Sequence, residues 1–256
     1  MTDSQATKQP VSSRQNIRKW ILILSFLLVP VTIFYISPIV IMMGAAEGVA
    51  TGSLLLYIVL FILSLFVARL WCGWLCPMGA WQEICSPVIK HTVKVGWRNY
   101  LKYGVTVLWL AAIAFSFYRA GGILSVDPFY GTVNGISITS LDILMIVGII
   151  FAFIFLIAFI TGRRGTCHVF CPIATLMIAG RKIRNLVSWP ALQLSSDASR
   201  CIDCGACSKN CPMGLDVNGM VRKDDMENAE CIMCASCADT CPKGAIVPEW
   251  GNREIK

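Results

Sequence analysis

The chain has 256 residues, of which 56% are hydrophobic and 14% charged, with a formal net charge of +7 and thirteen cysteines. Charge this sparse excludes an ordinary soluble domain and points to segments that sit in lipid. The charge is also divided: residues 1–194 hold fifteen Lys and Arg against five acids, whereas 195–256 hold seven against ten. The basic residues flank apolar runs, so membrane topology accounts for them and nucleic-acid binding is set aside.

Residues 1–19 are polar and basic and read as a cytoplasmic tail. They resemble the n-region of a signal peptide. The apolar stretch that follows, 20–43, is longer than a signal h-region and ends in no Ala-x-Ala site, so it reads as a retained signal-anchor span. Four stretches approach the ~20 apolar residues a bilayer core requires: 20–43, 53–70, 101–118 and 141–160. Pro30 and Pro38 predict a kink in the first. Lys102 opens the third and is expected to snorkel to the headgroups.

Loop charge gives the orientation. Lys8, Arg14, Arg18 and Lys19 precede the first span, and Arg69, Lys90, Lys94, Arg98 and Lys102 lie between the second and third. Arg163, Arg164, Arg181, Lys182 and Arg184 follow the fourth, while the loop 44–52 has no Lys or Arg and 119–140 has only Arg119. Both termini are therefore expected in the cytoplasm of a multi-pass protein of the cytoplasmic membrane. The longer outer loop, 119–140, carries the turn signals Gly121-Gly122, Asp127-Pro128 and Asn134-Gly135. The expected organisation is a helical membrane domain over 20–184, a linker over 185–196 with Pro190, a ferredoxin domain over 197–248 and a tail over 249–256. The fold class is thus an α-helical membrane protein, four transmembrane helices as two repeated hairpins, with a C-terminal α+β two-cluster ferredoxin domain.

The C-terminal region writes C-x2-C-x2-C-x3-C-P twice: Cys201, Cys204, Cys207, Cys211-Pro212 and Cys231, Cys234, Cys237, Cys241-Pro242. This is the bacterial two-cluster ferredoxin spacing, in which the fourth cysteine of each run serves the other cluster. The expected [4Fe–4S] ligands are Cys201, Cys204, Cys207 and Cys241 for one cluster, and Cys231, Cys234, Cys237 and Cys211 for the other. A zinc site would use two C-x2-C pairs with a longer gap, and a disulfide framework suits an oxidising compartment. Reduced thiols at this density fit the cytoplasmic side.

A second pattern, C-x3-C-P, also occurs twice, at Cys72–Cys76-Pro77 and at Cys167–Cys171-Pro172, 95 residues apart and each after a pair of spans. That is an internal repeat of two helices. Thiols at i and i+4 on a continuing helix share one face, and pseudo-symmetry could bring all four together near the inner membrane surface. They could ligate a further iron–sulfur cluster, bind a soft metal such as Cu(I), act as a redox dithiol, or simply pack as small hydrophobes. Cys85 fits neither pattern and reads as a packed free thiol. His168, between the second pair, is a candidate proton carrier for quinol chemistry, set against a histidine with no chemical role.

These motifs together resemble the NapH-type membrane-bound ferredoxins, the membrane region of NosR-type proteins and the CcoG-type copper-handling proteins. The stretch 72–80, Cys-Gly-Trp-Leu-Cys-Pro-Met-Gly-Ala, carries the resemblance most strongly, whereas Pro172 is followed by Ile-Ala-Thr where a Gly-Ala pair is common. The resemblance implies an electron-transfer subunit, as of a quinol dehydrogenase, with two [4Fe–4S] clusters and a further thiolate centre. Membrane lipid, quinol or quinone, and ferredoxin-type or cytochrome subunits are the implied partners. A copper- or metal-reducing assembly factor is the alternative, with Met42 and Met43 as soft ligands. A redox sensor ranks last, because no sequence remains for an output domain.

Overall fold

The computed structural model describes residues 12–89, 91–93 and 98–252. The expected tail as far as residue 11, Lys90 and Lys94 of the inner loop, and residues 253–256 of the C-terminal tail lie outside the described residues.

The first expected span is corrected. Residues 20–43 do not form one helix. They fall into α1 (Ser13–Leu27), α2 (Val29–Ile36) and α3 (Pro38–Ala46), with α1 and α2 bent by 85°. The two prolines act as helix starters: each sits in the first turn, where its missing N–H breaks no bond, and neither can continue the helix before it. Ser37 caps α3 by accepting from the Val40 N–H.

After β1 (Val49–Thr51) come α4 (Gly52–Val67), α5 (Leu70–Trp74) and α6 (Pro77–Ile84). Then α7 (Arg98–Arg119), β2 (Ser125–Asp127), α8 (Leu141–Thr161), α9 (Gly165–Val169) and α10 (Pro172–Val187) follow. Among the described residues two helices are long and apolar enough to cross a membrane, Asn99–Arg119 and Leu141–Thr161, or three if the bent pair counts as one. Four are not reached, because α4 has 16 residues, about 24 Å of helix against a hydrocarbon core of about 30 Å. The long helices present apolar side chains outward, including Val107, Leu108 and Phe115 on α7 and Ile149, Phe153 and Leu156 on α8. Such faces suit lipid. The loops at the far end are tied by a parallel pairing of β1 with β2, Val49 opposite Ser125 and Thr51 opposite Asp127.

The repeat is visible as α4–α5–α6 and α8–α9–α10. In each, the long helix closes on a residue of positive φ, Ala68 (φ 52°) after α4 and Gly162 (φ 114°) after α8, beyond which a five-residue helix leads to a Cys-Pro pair and a returning helix. The returning helices are exchanged: α10 packs on α4 and α6 packs on α8. Gly180 makes the first contact possible, since a Cβ there would lie 1.9 Å from Ser64 Oγ. Trp81 Nε1–H donates to the Phe151 carbonyl at 3.1 Å in the second, with Phe26 stacked on the indole at 5.4 Å.

The C-terminal module closes on an antiparallel pair, β3 (Ala191–Ser196) with β4 (Ile246–Gly251). Between them lie three short helices, α11 (Ala206–Lys209), α12 (Val217–Arg222) and α13 (Ser236–Asp239). The expected linker 185–196 is therefore largely structured: α10 runs to Val187 and residues 191–196 are a strand of the module. Acids of the module meet bases of the helical layer at Arg14–Asp239, Arg181–Glu227, Arg69–Glu230 and Lys102–Glu230. Lys102 does not snorkel. It is fully buried, and Glu230 holds it inside.

Candidate metal centres

Two small cavities open inside the C-terminal module. One is walled by Cys201, Cys204, Cys207 and Cys241 with Ile202, Val221 and Ile246. The other is walled by Cys211, Cys231, Cys234 and Cys237 with Leu215, Met226 and Ile232. Each wall takes three thiols from one run and the last from the other. The local cause is the start of α11 and α13 at a left-handed residue, Gly205 (φ 66°) and Ala235 (φ 57°), which curls each run around its cavity. The Ala245 N–H points at Cys241 Sγ from 3.3 Å.

All thirteen cysteines are free thiols. Burial pushes Cys231 up to about 12, and Cys211 upward against the backbone N–H groups of Leu215, Met213 and Gly214. Thiols so buried ionise only when a cationic group takes the charge, so this donor set fits a thiolate-ligated cluster. Among the described residues, no group of three or more His, Cys, Asp or Glu side chains stands close enough for a single metal ion.

The other four thiols converge in the helical layer. Cys76 and Cys171 are the N-caps of α6 and α10, in near-identical conformation (φ −70°, ψ 116° and φ −74°, ψ 114°), each before a proline. The backbone N–H groups of Gly79 and Ala174, three residues on, lie near the two thiols and work to lower them. Burial pushes both thiols upward, and each lies in the field of Cys72 and Cys167. The exchanged returning helices complete the wall: Met177 Sδ of α10 is 3.8 Å from Cys72 Sγ, and Gln82 Nε2 of α6 is 3.7 Å from Cys167 Sγ. Met177 and Gln82 each stand five residues after their Cys-Pro proline. Cys85 is half-buried at the end of α6.

His168 is fully buried, its Nδ1 3.7 Å from Glu230 Oε2. Burial lowers it to about 4 despite the carboxylate, so it is neutral near pH 7. Glu230 is held below the usual carboxylate range: burial works to raise it, but Arg69 and Lys102 outweigh burial.

Sequence reasoning missed two residues here. Arg69 and Arg164, read above only as loop charge, are each 1% exposed and stand beside the four thiols. The signal was present, since each precedes the first cysteine of its motif by three residues, giving R-x2-C-x3-C-P twice.

The sites are arranged in series. A Cβ on Gly73, next to Cys72, would lie 2.3 Å from the Ile232 carbonyl oxygen and 3.6 Å from Cys234 Cβ. The Cys231 cavity therefore abuts the four-thiol site backbone to backbone. Trp74 Nε1–H seals the contact at the Met233 carbonyl, 3.2 Å away, and Gln15 Nε2 donates to the Cys234 carbonyl at 2.9 Å. The Cys201 cavity is the outermost, with Cys204 and Ile202 exposed.

The comparisons with known proteins fall on the same segments. A 4Fe-4S binding domain matches residues 49–95 and again 143–190, and a 4Fe-4S dicluster domain matches 200–246. The chain is 27% identical over 196 residues to the Escherichia coli protein named "Putative electron transport protein YccM", covering 72% of this chain and 52% of that one. Two uncharacterized proteins of Methanocaldococcus jannaschii, MJ0750 and MJ0749, are 28% and 23% identical over 62% and 69% of this chain. The match spans between about half and two thirds of the length of these relatives. No solved structure matches the chain. The chain thus carries segments that match 4Fe-4S binding domains in both its helical layer and its C-terminal module.

Proposed function

We propose that this chain is a membrane-anchored electron-transfer protein of the NapH type, linking a quinol pool or a cytoplasmic donor to a respiratory or extracytoplasmic redox system. In this reading Cys201, Cys204, Cys207 and Cys241 hold one [4Fe–4S] cluster, and Cys231, Cys234, Cys237 and Cys211 a second. Cys72, Cys76, Cys167 and Cys171 hold a third, thiolate-ligated iron–sulfur centre. The observation that carries it is the contact of Gly73 with Ile232 and Cys234, which sets the four-thiol site directly against the nearer ferredoxin cavity.

When bound, such clusters supply one-electron exchange. The chain's own residues do the rest. Gly73 permits close approach, Trp74 and Gln15 fix the module, and Met177, Tyr57 and Ile173 form the dry apolar surround of the inner thiols. His168 beside Glu230 is the candidate proton carrier with quinol as donor. The module and both termini face the cytoplasm in this reading, supported by the loop charges. Met42 and Met43, the soft ligands of the metal-handling alternative, are exposed on α3, which leaves the buried thiol series to favour electron transfer.

The test is an anaerobic iron and sulfide count with redox-titrated EPR on the full chain in detergent. Iron in excess of two cubanes is expected, and Ala at any one of Cys72, Cys76, Cys167 or Cys171 removes the excess while the ferredoxin signals survive. A count met by two cubanes alone would overturn the third centre. Cys211→Ala should damage the cluster of the Cys231 run and spare the other; the opposite pattern refutes crossed ligation. An externally active reporter fused after Ser196 would overturn the orientation.

A further inference from the structure

The two arginines of the repeated R-x2-C-x3-C-P motif are buried without full pairing. Arg69 gives Nη1 to Glu230 at 2.9 Å and to the Ala229 carbonyl at 3.3 Å, while its Nε and Nη2 have no partner. Arg164 gives Nη2 to Glu83 at 2.6 Å and Nη1 to the Cys72 carbonyl at 2.7 Å, while its Nε has none. Buried guanidinium groups are normally fully hydrogen-bonded, because each unpaired donor carries its whole desolvation penalty. Three such donors stand around one site, and the Arg69 guanidinium lies within reach of the Cys72 thiol.

The charge count points the same way. Glu83 pairs with both Arg18 and Arg164, and Glu230 pairs with both Arg69 and Lys102. Among the described residues these four buried cations face two carboxylates, which leaves two positive charges in surplus beside Cys72 and Cys167. Both repeats keep the arginine at the same offset. Room is made for one of them: a Cβ on Gly79 would lie 2.9 Å from Arg164 Nη1.

We propose that Arg69 and Arg164 are potential-setting residues of the four-thiol site, whose surplus positive charge raises the reduction potential of the iron–sulfur centre held there. The inference rests on the reading that the four thiols hold such a centre. Reduction adds one electron and no proton, so the centre becomes more negative by one charge. Fixed cations beside it stabilise the reduced form more than the oxidised form, and the effect is large where water is excluded. The electron comes from the abutting ferredoxin site in the protein and from a chemical reductant in a titration.

The test is an EPR-monitored redox titration of the full chain in detergent, following the signal that depends on Cys72, Cys76, Cys167 and Cys171. Arg69→Gln and Arg164→Gln should each lower its midpoint, with at least a tenfold fall in the reduced-to-oxidised ratio at fixed potential, about 59 mV for a one-electron couple. Arg164→Lys should restore most of the shift. Glu83→Gln should move the midpoint the other way, since it leaves Arg18 and Arg164 uncompensated, and this arm stands even where an Arg→Gln chain does not fold. The ferredoxin signals should hold their potentials. A four-thiol signal that keeps its midpoint in the Gln variants, or that falls in Glu83→Gln, overturns the inference alone. A wild-type chain with no signal dependent on these thiols overturns the reading of the site and the inference with it.

Discussion

The two repeats share the backbone geometry of their thiols and differ in what each one docks. Position by position, Arg69, Cys72, Cys76 and Pro77 answer to Arg164, Cys167, Cys171 and Pro172, with matching cap conformations. Around that frame the side chains diverge. Gly73 lies under the Ile232 backbone, whereas its counterpart His168 faces Glu230. Gly79 makes room for Arg164, whereas Ala174 has no arginine to admit, because Arg69 turns to the C-terminal module instead. The returning helix α10 is 16 residues long and lies along α4, whereas α6 stops after eight. Symmetry is kept at the thiols and lost at the surfaces that receive the module. The thiol frame and the docking of the module are therefore separable, and mutations can pull them apart.

The largest effect is expected at the tightest contact. Gly73→Ala places a methyl 2.3 Å from the Ile232 carbonyl oxygen, so α5 and the module must separate, at a cost of about 1–3 kcal/mol. On the proposed reading, the expected outcome is a lower unfolding temperature in detergent and slowed electron exchange between the module and the four-thiol site, with all three cysteine sites still loaded. Unchanged exchange would show that the contact does not carry the electron path. Next is Gly180→Ala, which meets Ser64 Oγ at 1.9 Å and the Phe61 carbonyl oxygen at 3.0 Å. It should cost about 1–3 kcal/mol by forcing α10 from α4. Its repeat counterpart is Cys85, eight residues after Pro77 and half-buried; Cys85→Ser should stay within about 0.5 kcal/mol. Equal penalties at the two positions would show that the helix exchange is not what Gly180 serves.

How much of this was legible in sequence depends on the range of the signal. In the C-terminal module local spacing places the first three thiols of each run on one cavity, and the duplication of the run points to the exchanged fourth. The convergence of the membrane thiols was legible because the motif is repeated at helix-compatible spacing after similar apolar runs. The breaks at Leu28 and Ser37 are harder to read: a proline in an apolar run predicts a kink in one span, whereas here each proline starts a new helix, the first after an 85° bend. Burial of Lys102 and the two arginines is hidden from the sequence for one shared reason. A basic residue at the end of an apolar helix looks like a topology signal, and only the fold shows that Glu83 and Glu230 wait there to bury it. β3 was hidden because its partner, β4, lies more than 50 residues on.

The smallest effects separate docking charges from surface charges. Arg181–Glu227 joins α10 to the module with side chains 8% and 17% exposed, and Asn185 Nδ2 also donates to Glu227 at 2.9 Å. Glu227→Ala removes both side-chain acceptors of the buried Arg181 guanidinium and leaves it the Leu192 carbonyl, 2.9 Å away. It should cost about 1–3 kcal/mol. Arg222–Asp203 pairs two side chains that are 59% and 50% exposed on the module alone. Water and salt screen such a pair, so Arg222→Ala should cost no more than about 1 kcal/mol. Salt provides the sharper discrimination, because the Debye length shrinks from about 10 Å at 0.1 M to about 3 Å at 1 M. Thermal unfolding of both variants in low and high salt should show the Arg222→Ala difference vanish while the Glu227→Ala difference persists. A Glu227→Ala penalty that disappears in high salt would mean that the module is held by screened surface attraction and is free to leave the helical layer, and the backbone contact at Gly73 would then be only one of its positions.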